Sequence, residues 1–124
     1  MVPMDRRELA RRGEDAAAAF LERVGMTVVE RNWRCPAGEA DIIALDGEEL
    51  VVVEVKTRRS ERAGTPEEAV TPAKQHRIVR LARAYAAQTG ISPLRVRFDV
   101  VTLRVLSEDR ALLRHLRNAF SAEV

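Results

Sequence analysis

The chain is short of cysteine, lysine and long apolar runs, and each shortage narrows what it is. One of its 124 residues is cysteine, Cys35, so no internal disulfide can form. Cys35 lies in a strand-like run with no histidine placed as a metal-ligand or nucleophile partner, and is read as a half-buried thiol. No apolar stretch approaches the ~20 residues of a membrane span. The N-terminal segment MVPMDRRELARRGED lacks the apolar centre of a signal peptide. A soluble, cytoplasmic protein with no membrane partner is expected. The only histidines, His76 and His115, have no evident partners and are read as surface residues. Repeats, linkers and low-complexity tracts are absent too, so residues 1–124 are expected to form one domain with a real core.

Charge of one sign is also scarce. The formal net charge is +2, too small to argue for nucleic acid by itself. Its distribution is uneven, with 11 basic and 13 acidic side chains in residues 1–62 but 10 and 6 in residues 63–124. Between Val70 and Arg104 stand seven basic groups and one acid, Asp99. That asymmetry fits either a basic face or a solvated surface.

What is present is strong patterning. Asp5–Val24 has helical periodicity, with Ala10, Gly13, Ala17, Phe20, Leu21 and Val24 on one side, and Gly25 is a natural stop. Gly13 inside a helix costs ~1 kcal/mol against alanine, which close packing on a sheet would explain. Met26–Cys35 reads as a first strand, carrying Trp33 as core or edge packing rather than base stacking. Gly38–Lys56 supplies two more strands. Arg58–Thr71 is a polar loop containing Gly64 and Pro66. Thr71-Pro72 starts a second helix, with Ile78, Leu81, Ala82 and Tyr85 inward and Gly90 at its end. Arg95–Leu103 is a fourth strand that Val105 extends, and Ala111–Phe120 reads equally as strand or helix. The order is α-β-β-β-α-β with a C-terminal addition.

The most informative segment is Gly38–Arg58, GEADIIALDGEELVVVEVKTR. Ile42–Leu45 and Leu50–Val53 flank the turn segment Asp46–Glu49, which suits a hairpin. Pairing Leu45 with Leu50 sets Asp41 opposite Glu54 and Glu39 opposite Lys56. Both faces of the hairpin are apolar, so helices are expected on both sides. Side chains alternate along a strand, so Glu39, Asp41, Glu54 and Lys56 gather at one end of one face. Opposed carboxylates there are unfavourable unless a cation joins them. Oxygen donors on rigid strands suit Mg²⁺ or Mn²⁺. Strand-end salt bridges such as Glu54–Lys56 and Glu39–Arg58 are the plainer alternative.

Lys56 stands out because 19 of the 21 basic residues are arginine. A lysine in such a background marks a place for a compact point charge rather than a planar fork. Glu14 lies at the edge of the first helix's buried face, within reach of the sheet end as a further ligand or as an ordinary partner of Arg11 or Arg12. Lys74, Arg77, Arg80 and Arg83 form a ridge on the second helix. Lys74 and Gln75, in its first turn, are the better phosphate candidates, and Arg80 and Arg83 read as a solvated face.

With GE-A-D, EVK and this element order in hand, the chain resembles the PD-(D/E)xK nuclease superfamily. More closely it resembles the YraN family of small bacterial proteins, thought to be endonucleases. The matching segments are RRGEDAAAAFLE (Arg11–Glu22), VVERNWRCPAGEADIIA (Val28–Ala44), VVVEVKTR (Val51–Arg58), GTPEEAVTPAKQHRI (Gly64–Ile78), RFDVV (Arg97–Val101) and NAF (Asn118–Phe120). Archaeal Holliday junction resolvases are similar in the same regions. The resemblance implies a restriction-endonuclease-like α/β fold, a mixed sheet with helices on both faces. It implies binding of Mg²⁺ or Mn²⁺ by Asp41, Glu54, the Val55 carbonyl and Glu14, with Lys56 as the catalytic lysine. Glu39 and Lys74 or Gln75 would support the site, and Arg58, Arg59, Lys74 and Arg77 would meet nucleic acid, DNA first. Ala40 stands where the superfamily pattern has proline. A homodimer is compatible with junction cutting, where two strands need two sites. A binding module that does not cut, and a protein-interaction domain with a vestigial site, are the competing functions.

Overall fold

The hairpin at the centre of the chain is built as its pattern requires. The protein's structure, a computed structural model, describes residues 5–59, 70–93 and 95–123. Strands β2 (Gly38–Asp46) and β3 (Glu49–Arg58) pair antiparallel, with Leu45 opposite Leu50 and Asp46 opposite Glu49. The connection is tighter than the expected four residues: only Gly47 and Glu48 turn. Gly47 takes φ +62°, the left-handed value that the first position of a type II′ hairpin turn demands and glycine supplies freely.

Around that hairpin the elements follow the order α1 (Arg6–Arg23), β1 (Thr27–Cys35), β2, β3, α2 (Pro72–Thr89), β4 (Arg95–Ser107), β5 (Arg110–Glu123). The five strands form one sheet in the order β1-β2-β3-β4-β5. All neighbours are antiparallel except β3 and β4, which α2 connects as a parallel pair. Asp5 caps α1 by accepting from the Glu8 N–H at 2.8 Å, and Thr71 caps α2 through Lys74 N–H at 3.2 Å. Pro72 occupies the first turn of α2, and Gly90 at φ +79° closes it.

Alternation along β2 and β3 sorts the core into two layers. Ile43, Leu50 and Val52 pack with Ile78, Leu81, Ala82 and Tyr85 of α2. Ile42, Ala44, Val51 and Val53 pack with Ala17 and Leu21 of α1. Helices therefore cover both faces, as the double-sided apolar hairpin requires. Trp33 is buried and meets Tyr85 edge to face at 5.2 Å. Cys35 is a half-buried free thiol. The mid-helix glycine has a definite cause: a Cβ at Gly13 would run into the Thr57 hydroxyl on β3.

One open reading is resolved and one expectation is corrected. The ambiguous C-terminal segment is strand, β5, not helix. It is hard to read because a bulge breaks its alternation: Val100 pairs with Leu116 but Phe98 with Phe120. Asn118, at φ +56°, makes that bend, a backbone state asparagine tolerates better than most residues. His115 is not a surface residue. Its side chain is 9% exposed and its Nε2 lies 2.7 Å from Asp99 Oδ2.

His115 and Asp99 belong to a buried ionic network on the α1 side. Arg97 Nε and Nη2 donate to Asp99 at 2.9 and 3.1 Å, and Nη1 donates to Asp46 at 2.8 Å and Glu49 at 3.2 Å. The Asn118 N–H completes the Asp99 shell at 2.9 Å. The network ties the β2–β3 turn to β4 and β5. Gly64 and Pro66, in the polar loop after β3, lie outside the described residues. Among the described residues, no helix is long and apolar enough to cross a membrane.

Candidate functional site

The β2–β3 ladder stops at Ile42 and Val53, and the site lies where it stops. Asp41 and Glu54 are not a paired rung, and Glu39 does not face Lys56. Those two expected pairings are corrected by the divergence of the strands. Asp41 instead bridges the opening through its side chain, Oδ2 accepting the Val55 N–H at 2.8 Å. A carboxylate thus takes the place of a ladder carbonyl. In a strand the N–H and C=O of one residue point to the same side, so the Val55 carbonyl also faces Asp41.

Burial pushes the Asp41 carboxyl above its ordinary range. The Val55 hydrogen bond opposes this, while the charges of Glu14, Glu54 and Glu39 push it further up. Asp41 therefore feels three other carboxylates, Glu14 on α1, Glu39 on β2 and Glu54 on β3. Glu14, Glu39 and Glu54 each stand within 4.0 Å of a cation. Glu14 is 4.0 Å from Arg31, and Glu39 is 3.6 Å from Arg34 across β1. Glu54 is gripped by Lys74, whose Nζ lies 3.2 and 3.3 Å from its two oxygens. Lys56 Nζ stands 3.8 Å from Glu54 Oε2.

A cleft of about 150 Å³ opens here, lined among others by Glu39, Asp41, Glu54, Lys74, Arg77 and Phe98. The Lys74 ammonium also sits over the Phe98 ring, 5.3 Å from its centre, so its position is fixed from two sides. Gln75 does not join the site. Its amide donates to the Val70 carbonyl at 2.9 Å, bracing the chain that enters α2. Arg58, the last residue of β3, and Arg59 just beyond it are exposed, and Arg77 is exposed at the cleft rim. A larger hollow of about 450 Å³ near the end of α2 is lined, among the described residues, by one charged side chain, Arg83.

Among the described residues, no three His, Cys, Asp or Glu side chains are placed together to hold a metal ion. The donor set available is smaller and of one kind: the carboxylates of Asp41 and Glu54, the Val55 carbonyl, and Glu14 beyond them. All are hard oxygens, and Mg²⁺ characteristically takes one or two carboxylates and keeps its waters. These residues fit such a cation chemically, provided Glu54 turns from Lys74. The Arg97–Asp99–His115 network escaped the sequence reading. Its one signal is the pair Arg97 and Asp99, opposite charges two residues apart on one face of the strand RFDVV.

Two helices on opposite faces of a five-stranded mixed sheet, with acidic groups gathered where the central hairpin opens, make this an α/β domain of restriction-endonuclease-like architecture. Residues 13–103 match the Uncharacterised protein family UPF0102. The UPF0102 protein GSU0650 of Geobacter sulfurreducens is 49% identical over 109 residues, covering 88% of this chain and 85% of that protein. The UPF0102 protein STH1475 of Symbiobacterium thermophilum is 50% identical over 116 residues, covering 94% and 98%. A UPF0102 protein of Kineococcus radiotolerans is 51% identical over 105 residues, covering 84% and 86%. The chain belongs to UPF0102, the YraN family.

Proposed function

We propose that this chain is a cytoplasmic, Mg²⁺- or Mn²⁺-dependent endonuclease that hydrolyses phosphodiester bonds in DNA, branched or otherwise structured DNA in particular. The observation that carries the reading is Asp41: a half-buried carboxylate, fixed by the Val55 N–H and crowded by Glu14, Glu54 and Glu39. Carboxylate charge crowded this way favours binding of an external cation.

A divalent cation held by Asp41, Glu54 and the Val55 carbonyl would supply Lewis acidity, polarising a phosphoryl oxygen and making water a better nucleophile. The chain's own residues do the rest. Lys56, on the strand that carries Glu54, holds an ammonium beside the reacting phosphate, where it orients the attacking water and stabilises developing negative charge. Lys74 and Arg77 at the cleft wall add positive charge for the substrate backbone. Glu54 is shared between the two lysines, which holds its carboxylate in place.

The test is cleavage by purified protein with Mg²⁺ or Mn²⁺ on duplex, flap, four-way junction and single-stranded DNA. Asp41→Ala, Glu54→Ala and Lys56→Ala should each lower the rate by about 10²–10³-fold or more without unfolding the protein. A Glu54→Ala variant that still cleaves removes the mechanism. DNA binding without cleavage in either metal marks a binding module instead.

A further inference from the structure

The two helices do not cover equal lengths of the sheet. On the α2 side, successive cross-strand rows read Val52–Phe98–Phe120, Glu54–Val100–Leu116, Lys56–Thr102–Arg114 and Arg58–Arg104–Leu112. The first two rows contribute Val52, Phe98, Val100, Leu116 and Phe120 to the core beneath α2. The last two contribute nothing to it: Arg58, Arg104, Arg114 and Leu112 are exposed, and Lys56 and Thr102 are half-buried. On the α1 side the same stretch stays covered, with Val101, Leu103 and Leu113 in the core and Thr57 against Gly13.

We infer that this exposed end of the sheet is a landing surface for the DNA phosphate backbone, carrying the strand from the Asp41–Glu54 site across β3, β4 and β5. The inference rests on the nuclease reading for its direction, and it adds Arg104 and Arg114 to the binding surface. Three features support it. The patch begins with Lys56, so it is continuous with the site. Its two rows hold four cations and no acid. Arg58 and Arg104 are direct neighbours on parallel strands and both are exposed, so two guanidinium groups, each able to take a phosphate in a bidentate fork, stand side by side. Alternate residues on a strand lie roughly 7 Å apart and adjacent strands about 4.8 Å apart. The cations thus tile roughly 7 by 10 Å, a footprint suited to adjacent phosphates.

The test is the salt dependence of binding. The full chain is titrated against a short fluorescent duplex and its single strand in EDTA, where cleavage is silent. Each lost phosphate contact lowers the steepness of log K against log[salt] by about 0.9 on duplex. Arg104→Ala/Arg114→Ala should therefore flatten the slope by about 1.8 and weaken binding several-fold. Arg104→Lys/Arg114→Lys keeps both charges and should restore the slope, which separates lost contacts from lost folding. Arg6→Ala/Arg7→Ala, exposed on the opposite helix, removes the same charge and should leave the slope unchanged. A wild-type slope in the alanine pair, an equal loss in the control pair, or no salt-dependent binding by the wild-type chain overturns the inference. Binding with the expected arginine dependence but no cleavage in Mg²⁺ or Mn²⁺ overturns the nuclease reading alone.

Discussion

Lys74 holds Glu54 with its ammonium 3.2 and 3.3 Å from the two carboxylate oxygens. The lysine comes from the first turn of α2 and the glutamate from the open end of β3. A cation at Glu54 must therefore compete with one already built into the fold. Replacing Lys74 with methionine keeps the packing over Phe98 and removes the competitor. Mn²⁺ should bind Lys74→Met several-fold more tightly than wild type, equivalent to about 1 kcal/mol for a half-buried ion pair. Isothermal calorimetry reads this directly. Unchanged or weaker Mn²⁺ binding would show that Lys74 only positions Glu54.

Asp41 is where stability and function pull apart. Burial and the nearby Glu14, Glu54 and Glu39 raise its pKa, against the Val55 hydrogen bond. A raised folded-state pKa means the folded chain holds this proton more tightly than the unfolded chain. The resulting stabilisation is full below the unfolded value of about 3.9 and is lost as pH rises through the folded value. At neutral pH the ionised group is a net cost. Asp41→Asn keeps an oxygen for the Val55 N–H and removes the charge. It should melt higher than wild type near neutral pH, with the advantage shrinking in acid. Mn²⁺ at a hundredfold excess over its dissociation constant should stabilise wild type by about 2.7 kcal/mol and the variant far less. Thermal melts across pH, with and without Mn²⁺, check both parts.

Local pattern made some of this architecture legible and left the rest hidden. The alternation of Ile42–Leu45 against Leu50–Val53 sets the register, the two-sided core and the need for a helix on each face. Glycine, proline and threonine mark the ends of α2. The site itself depends on where the ladder stops, and no period in the sequence says that Asp41 replaces a rung. The grip of Lys74 on Glu54 joins residues 20 positions apart through the path of a crossover helix. Asp99 and His115 meet only because β5 bulges at Asn118. The opposite charges of Arg97 and Asp99, two residues apart in RFDVV, were the available warning.

Gly13 allows the approach of α1 to the strand that carries Glu54, Val55 and Lys56. Elsewhere in a helix, glycine to alanine would gain ~1 kcal/mol. Here the new methyl meets the Thr57 hydroxyl, and overpacking of this kind costs about 1–3 kcal/mol. Gly13→Ala should therefore lower stability in urea, and Thr57→Ala in the same chain should recover part of the loss. A stabilised Gly13→Ala variant would mean that α1 does not need this close contact.

The network around Asp99 predicts an acid limb of stability with a definite sign. Burial alone would raise the Asp99 pKa. The hydrogen bonds from His115, Arg97 and the Asn118 N–H, with the Arg97 charge, outweigh it and hold the carboxyl below its ordinary value. The folded state thus favours the ionised form. Its contribution is present above the unfolded pKa of about 3.9 and is lost as pH falls through the folded value. Asp99→Asn keeps the shape but leaves Arg97 with less compensation in a buried position, a loss of about 3–5 kcal/mol when one partner of a buried pair is removed. Urea denaturation should show that full difference near neutral pH and a smaller one well below the ordinary carboxylate range, where wild-type Asp99 takes up its proton. Asp46 and Glu49 also hold Arg97, so a uniform small loss at every pH would show that those turn residues, rather than Asp99, balance its charge.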